Sequence, residues 1–171
     1  MPKLTIIQLG KIAENILTSV TSELRETFDL ATETTQPIEV PKEICNFIRR
    51  QYPAPVVLKF ISEKFHGRAL GITNEDLYAE DLNFVFGQAY SPGNAALISI
   101  LRLNPTFYKQ KSNEDLLIER AVKEAVHEVG HMIGLRHCPD MTCVMSFSNT
   151  VGDVDRKAKN LCVACQKQLP I

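Results

Sequence analysis

Three of the four histidines in this 171-residue chain stand within eleven residues, in the run AVHEVGHMIGLRHC. His127 and His131 are four apart, which on a helix sets both imidazoles on one face, about 40° apart in projection. Neutral imidazoles at that spacing suit Zn²⁺, and Glu128 follows the first of them as the H-E-x-x-H pattern requires. The Glu is offset from the ligand face, so it reaches a water at the metal without becoming a ligand itself. By itself the pattern also fits a helix with a polar, solvated face.

The residues just downstream separate these two possibilities. Gly134 falls three residues after His131, where a helix ends in a left-handed turn that only glycine adopts without strain. The chain then doubles back and presents His137 as a third nitrogen, leaving a fourth position open, as catalytic zinc sites do. Eight residues beyond His137, Met145 has the place of a methionine turn beneath the metal. The full pattern is a metzincin signature. Interleaved with it are Cys138, Cys143 and a CxxC formed by Cys162 and Cys165, four thiols at spacings that match a closed structural zinc site. If residues 137 and 138 are extended, their side chains diverge, one toward each metal. The other readings of the cysteines are a pair of disulfides or separate buried thiols, and nothing in the chain indicates an oxidising compartment.

HExxHxxGxxHCxxxxCxM followed by CxxC resembles the archaemetzincins, or archaelysins. It covers the 39 residues from His127 to Cys165. Outside it the likeness is looser, resting on Arg49–Tyr52, on the stretch LNFVFGQA and on a length suited to a minimal catalytic domain. The resemblance implies two zinc ions per chain, one catalytic and one structural, and hydrolysis of peptide bonds with Glu128 as general base and acid. It also implies an antiparallel edge strand along the cleft, with Asn83, Phe84, Val85, Phe86 and Gly87 binding extended substrate by strand addition. Astacin-like and serralysin-like enzymes carry a Tyr two residues after the turn methionine. This chain has Phe147 there, so that hydroxyl is absent.

The rest of the sequence must position these groups. Lys3–Leu9 reads as a first strand stopped by Gly10, and Ile12, Ile16, Val20 and Leu24 recur at helical spacing to about Phe28. A parallel neighbour over Asp29–Thr35 is expected from that strand–helix opening. Pro37, Pro41, Pro53 and Pro55 mark an irregular region containing Cys45, read as a buried thiol. Val56–Phe65 has helical spacing, with His66 at its end favoured by the helix dipole. Ala69–Thr73 is a short strand. Leu82–Tyr90 alternates as the outer member of a hairpin, turns through Ser91–Asn94, and returns as the apolar run Ala95–Leu101. Ser112 or Asn113 caps the ligand-bearing helix, whose buried side runs through Leu117, Ala121, Ala125, Val129 and Met132 to Gly134. A last helix is predicted from Asp153 to about Leu169.

The fold class is therefore α/β (α+β): a single metzincin-like domain with a mixed, twisted sheet, an antiparallel edge strand and a long active-site helix. Residues 1–134 form an upper part, and residues 135–171 a small lower part stapled by the four-cysteine zinc. Composition, 44% hydrophobic and 23% charged, is that of a globular protein. The net charge of −1 gives no reason to expect nucleic acid or an anionic membrane as partner. The basic groups Arg49–Arg50 and Arg156–Lys157–Lys159 read as solvated surface. No run approaches a membrane span and the N-terminus lacks a signal peptide's features. With reduced cysteines, these point to a cytoplasmic monomer acting on peptides or proteins. No pro-segment precedes the first strand, and so narrow activity is expected. The competing class is a zinc-scaffolded module that binds peptides or chain termini without turnover, which has no use for Glu128. A nucleic-acid-binding zinc protein is the third, and the flat charge balance disfavours it.

Overall fold

The computed structural model describes residues 1–170. Strand β1 (Lys3–Leu9) is followed by helix α1 (Glu14–Phe28), which buries Ile16, Leu17, Val20 and Leu24 and ends in a left-handed turn at Asp29. Strand β2 (Ala31–Thr34) returns parallel to β1, with Lys3 opposite Ala31. The proline-rich region leads through the short strand β3 (Tyr52–Pro53) into α2 (Ala54–Lys64), with a proline in its first turn, where no backbone donor is lost. Strand β4 (Arg68–Thr73) pairs parallel to β1, and the two-residue β5 (Leu77–Tyr78) pairs with β3 in a separate small sheet. Cys45 is only half-buried, against the α2 side of the core, and His66 is exposed.

The hairpin forms, but its outer strand is shorter than its alternation suggests. β6 covers only Gly87–Ala89 and pairs antiparallel with β7 (Ala95–Ser99), while residues 82–86 run as an irregular rim. The reason lies in who takes their carbonyls. Arg49 donates from its guanidinium to the carbonyls of Leu82 and Asn83 at 3.0 and 3.2 Å, and Gln51 donates to Asn83 at 2.8 Å. Phe84 lies under the Arg102 guanidinium, 4.3 Å from its ring centre. Side chains hold the start of this segment, and single backbone bonds, Val85 N–H to Leu77 O at 3.0 Å and Ser99 N–H to Phe86 O at 2.8 Å, hold its end.

The main sheet has the order β2-β1-β4-β7-β6, parallel except for the edge strand β6. Alternation of its buried residues sends Ile7, Leu9 and Leu97 toward α2 and Leu4, Ile6, Leu70, Ile98 toward α1 and the long helix α3 (Glu114–Ile133). The Asn113 side chain caps α3 by accepting from the Leu116 N–H at 3.1 Å. Beyond α3, the single predicted helix over 153–169 is two short ones, α4 (Val151–Arg156) and α5 (Val163–Gln166). Between them the backbone is recruited elsewhere: Ala158 N–H donates to Thr142 at 2.8 Å, and Asn160 accepts from Val144 at 3.2 Å. These bonds seat the segment carrying Cys143 and Met145. Leu135, Val144, Met145, Val154 and Leu161 all enter the same core as α1 and α3.

Candidate active site

Helix α3 ends where glycine is needed. Gly134 has φ 115°, and its N–H bonds back to the Gly130 carbonyl at 3.1 Å, with Leu135 N–H joining at 2.9 Å. The chain then reverses, and Cys138 N–H donates to Met145 O at 3.0 Å, drawing the third histidine and the methionine turn together. One ring nitrogen from each of His127, His131 and His137 lies within 4.8 Å of the others. His137 and Cys138 divide as their adjacent positions require, one joining the histidines and the other the cysteines.

The ring nitrogens are oriented by backbone carbonyls. His127 Nδ1 is 2.7 Å from Val144 O, and His131 Nδ1 is 2.8 Å from Leu135 O. A carbonyl only accepts, so both protons reside on Nδ1, and both Nε2 atoms carry lone pairs. Those lone pairs face each other at 3.0 Å. Two acceptors at that distance repel unless a cation lies between them. Tetrahedral zinc with bonds of about 2.0–2.1 Å sets nitrogens about 3.3 Å apart, so the donor set fits that ion. Burial lowers the pKa of His127 well below the ordinary value, with Lys157 contributing, and burial also lowers His131 and His137. Neutral rings are the form a metal takes.

Glu128 is buried beside them. Its carboxyl pKa is raised well above the ordinary range, first by burial and then by Glu124 one turn back, with Lys157 opposing. Gly87 makes room for it: a Cβ there would lie 2.8 Å from Glu128 Cγ and 2.5 Å from Leu97 O. Gly130 does the same for Met145, whose sulfur would be 2.5 Å from a Cβ at that position. A cleft of about 670 Å³ lies between β6 and α3, lined by Phe84, Phe86, Glu124, Glu128, the three histidines and Phe147. Asn83, Val85 and Gly87 line it as well. Phe147, which is 56% exposed, stands edge-on to His137 at 5.3 Å between ring centres.

The four cysteines form the second cluster. Cys138 and Cys162 sulfurs are 3.8 Å apart, as are those of Cys143 and Cys165, and all four lie within 4.8 Å. Zinc–sulfur bonds of about 2.3 Å in a tetrahedron place sulfurs about 3.8 Å apart, whereas a disulfide needs about 2.05 Å. The thiols are free, which removes the disulfide alternative. The Cys165 N–H, with the neighbouring thiols, brings the Cys162 thiol down to about 7, and burial pushes Cys165 up.

Several residues here escape a reading of the sequence. Lys157, placed with Arg156 and Lys159 on the solvated surface, is instead 2% exposed, with its ammonium 3.1 Å from Glu124. Lys159 is no free cation either, since it binds Glu23 at 2.6 Å. Arg120 forks onto Asp155 at 2.8 Å through Nε and Nη2, and Lys123 donates to Val154 O at 3.2 Å, so α4 docks on a row of buried charges. Glu124 was open to inference, being four residues before Glu128 on the same helical face. So was Gly130, because a glycine inside a helix needs a packing reason. Lys157 carries no local signal.

A histidine cluster with an adjacent buried glutamate, on a helix that faces an edge strand, is the architecture of a zinc metallopeptidase. Known proteins narrow the class. Residues 57–170 match the model of peptidase family M54. The archaemetzincin of Methanocaldococcus jannaschii is 41% identical over 98% of this chain and 92% of its own length. The crystal structure of the Archaeoglobus fulgidus archaemetzincin, complexed with malonate, superposes with a TM-score of 0.86 at 35% identity, covering 98% of this chain and 99% of that one. The archaemetzincin of Methanopyrus kandleri gives the same TM-score at 37% identity, covering 97% and 92%. The chain belongs to the archaemetzincins, peptidase family M54. No helix among the described residues is long and apolar enough to cross a membrane.

Proposed function

We propose that this chain is a metzincin-type peptidase of restricted range, with His127, His131 and His137 holding a catalytic zinc. Cys138, Cys143, Cys162 and Cys165 hold a structural one, for two ions per chain. The observation that carries the reading is the pair of converging Nε2 lone pairs with Glu128 buried next to them. Zinc, when bound, supplies Lewis acidity that polarises the scissile carbonyl and eases ionisation of water near neutral pH. Glu128 takes the proton of the attacking water and delivers it to the leaving amine nitrogen. The outer side of β6 and the rim from Asn83 to Gly87 hold the substrate backbone in extended form, with Phe84 and Phe86 as apolar walls.

Restriction follows from Phe147. Its ring stands against His137 and offers no hydroxyl where one would help stabilise a developing oxyanion, and one such donor is worth about 3 kcal/mol. The same observation favours a second reading, a cleft that binds peptides without turnover. A peptide library digested by zinc-loaded protein and read by mass spectrometry decides. Cleavage at a small set of sites, abolished in Glu128→Gln, is expected. Rapid cutting of casein at many unrelated sites removes the restriction, and no turnover of any peptide leaves the binding reading.

A further inference from the structure

We propose that Lys157 is a positioning residue for the three-histidine site, clamping His127 and the Met145 turn through a buried ion pair with Glu124. The proposal rests on the metal reading of the three histidines. Lysine is almost never fully buried unless its charge is met, because taking an ammonium out of water is costly. The Lys157 side chain has no exposed surface, and Glu124 is 3% exposed. That desolvation is opposed by the attraction within the pair and by one hydrogen bond from the ammonium.

The ammonium lies 3.1 Å from Glu124 Oε1, 3.3 Å from Ser146 O and 3.4 Å from His127 Nδ1. The first is an ion pair without an aimed N–H, since Oε1 accepts no hydrogen bond. The second is a hydrogen bond to the residue after Met145. The third is not one, because His127 Nδ1 already donates to Val144 O at 2.7 Å. Lys157 therefore packs against the protonated edge of the ring, filling the space into which the imidazole would turn. A reversed ring would set a C–H against Val144 O and replace the Nε2 lone pair facing His131 with another C–H.

Three elements meet at this one residue: α3 through Glu124 and the methionine turn through Ser146 O, both at the ammonium, and the end of α4 at the backbone, where the Lys157 N–H donates to the Asp153 carbonyl. Outer partners of metal-bound histidines usually fix ring orientation through a carboxylate or carbonyl. Here the carbonyl is Val144 O, and the carboxylate acts at one remove, through a lysine. Glu124 stands three residues before His127 and four before Glu128 on the same helix, so loss of the clamp reaches both the ligand and the base.

The test uses zinc-loaded full-length protein, a Glu124→Met/Lys157→Met double variant that leaves no orphan charge, and Lys157→Arg. Zinc affinity of the histidine site is measured by chelator competition, and Co²⁺ bound there is followed by its visible absorption. The double variant is expected to lose about 10- to 100-fold in affinity at the histidine site, keep its cysteine-bound zinc, and show shifted Co²⁺ bands. Lys157→Arg is expected to show a smaller loss with shifted bands. Wild-type affinity and spectrum in the double variant would reduce the pair to packing and overturn the proposal. Should the double variant fail to fold, the same wild-type result in Lys157→Arg overturns it. Absence of Co²⁺ bands in the unmodified protein that His131→Ala also lacks would instead defeat the metal reading beneath it.

Discussion

A methyl group at position 87 would collide with Cγ of Glu128 at 2.8 Å and with its Oε1 at 2.9 Å, and it would lie 2.5 Å from the Leu97 carbonyl oxygen, so Glu128 or the edge strand must shift. Gly87→Ala is therefore expected to lower kcat by about tenfold to a hundredfold, the scale set by displacing a catalytic group by an ångström or less. Zinc per chain should stay unchanged, because none of the candidate ligands moves. Steady-state kinetics with metal analysis checks both, and an unaltered kcat would mean that Glu128 does not act from this position. At this scale the sequence was most informative where chemistry depends on spacing along one short segment. The histidines and cysteines came together as their intervals implied, and the Gly134 turn as well. Lys157 shows the opposite case. Charge alone sends lysine to the surface, and only Glu124, thirty-three residues away in sequence, makes its burial tolerable.

Helix α4 is short and depends on its ends. Thr150 accepts from the Asp153 N–H at 3.3 Å, while the Asp153 carboxylate accepts from Asn149 and Thr150 at 2.9 and 3.1 Å, a reciprocal capping box. Thr150→Ala is expected to cost about 1 kcal/mol of stability by denaturant unfolding. The Asn149 N–H, followed by that of Thr150, holds Asp153 below its ordinary pKa of 3.8. Its folded value is depressed, so the stability it contributes is fully present above the unfolded value and fades as pH falls through the folded one. Asp153→Asn should flatten that part of the acid limb. The elements legible in advance were those with long periodic runs, α1, α2, α3 and the buried strands. The predicted helix over 153–169 failed because Ala158 and Asn160 give their backbone bonds to the Cys143 segment. The outer strand was overextended because its alternation is real but Arg49 and Gln51, not a strand, take the carbonyls of Leu82 and Asn83.

Across the whole molecule the two candidate metal sites differ in closure. The four thiols enclose their centre, while the three histidines open on the cleft. Graded chelation should remove the histidine-bound zinc first, abolishing turnover while far-ultraviolet dichroism is retained. Removal of the second ion should loosen residues 135–170, read by hydrogen exchange. His131→Ala should retain one equivalent of zinc, and two equivalents there would refute the ligand assignment. The position of the ligands has a further consequence for how the chain is made. Every strand of the main sheet is complete by Ser99, yet the first candidate metal ligand is His127. During synthesis the sheet and α1 can pair before any ligand leaves the ribosome, with the face formed by Ile98 and Leu70 still uncovered by α3. The nascent chain thus passes through an interval in which an apolar surface is bare, and any ion held at the candidate sites would enter last, into a scaffold already built.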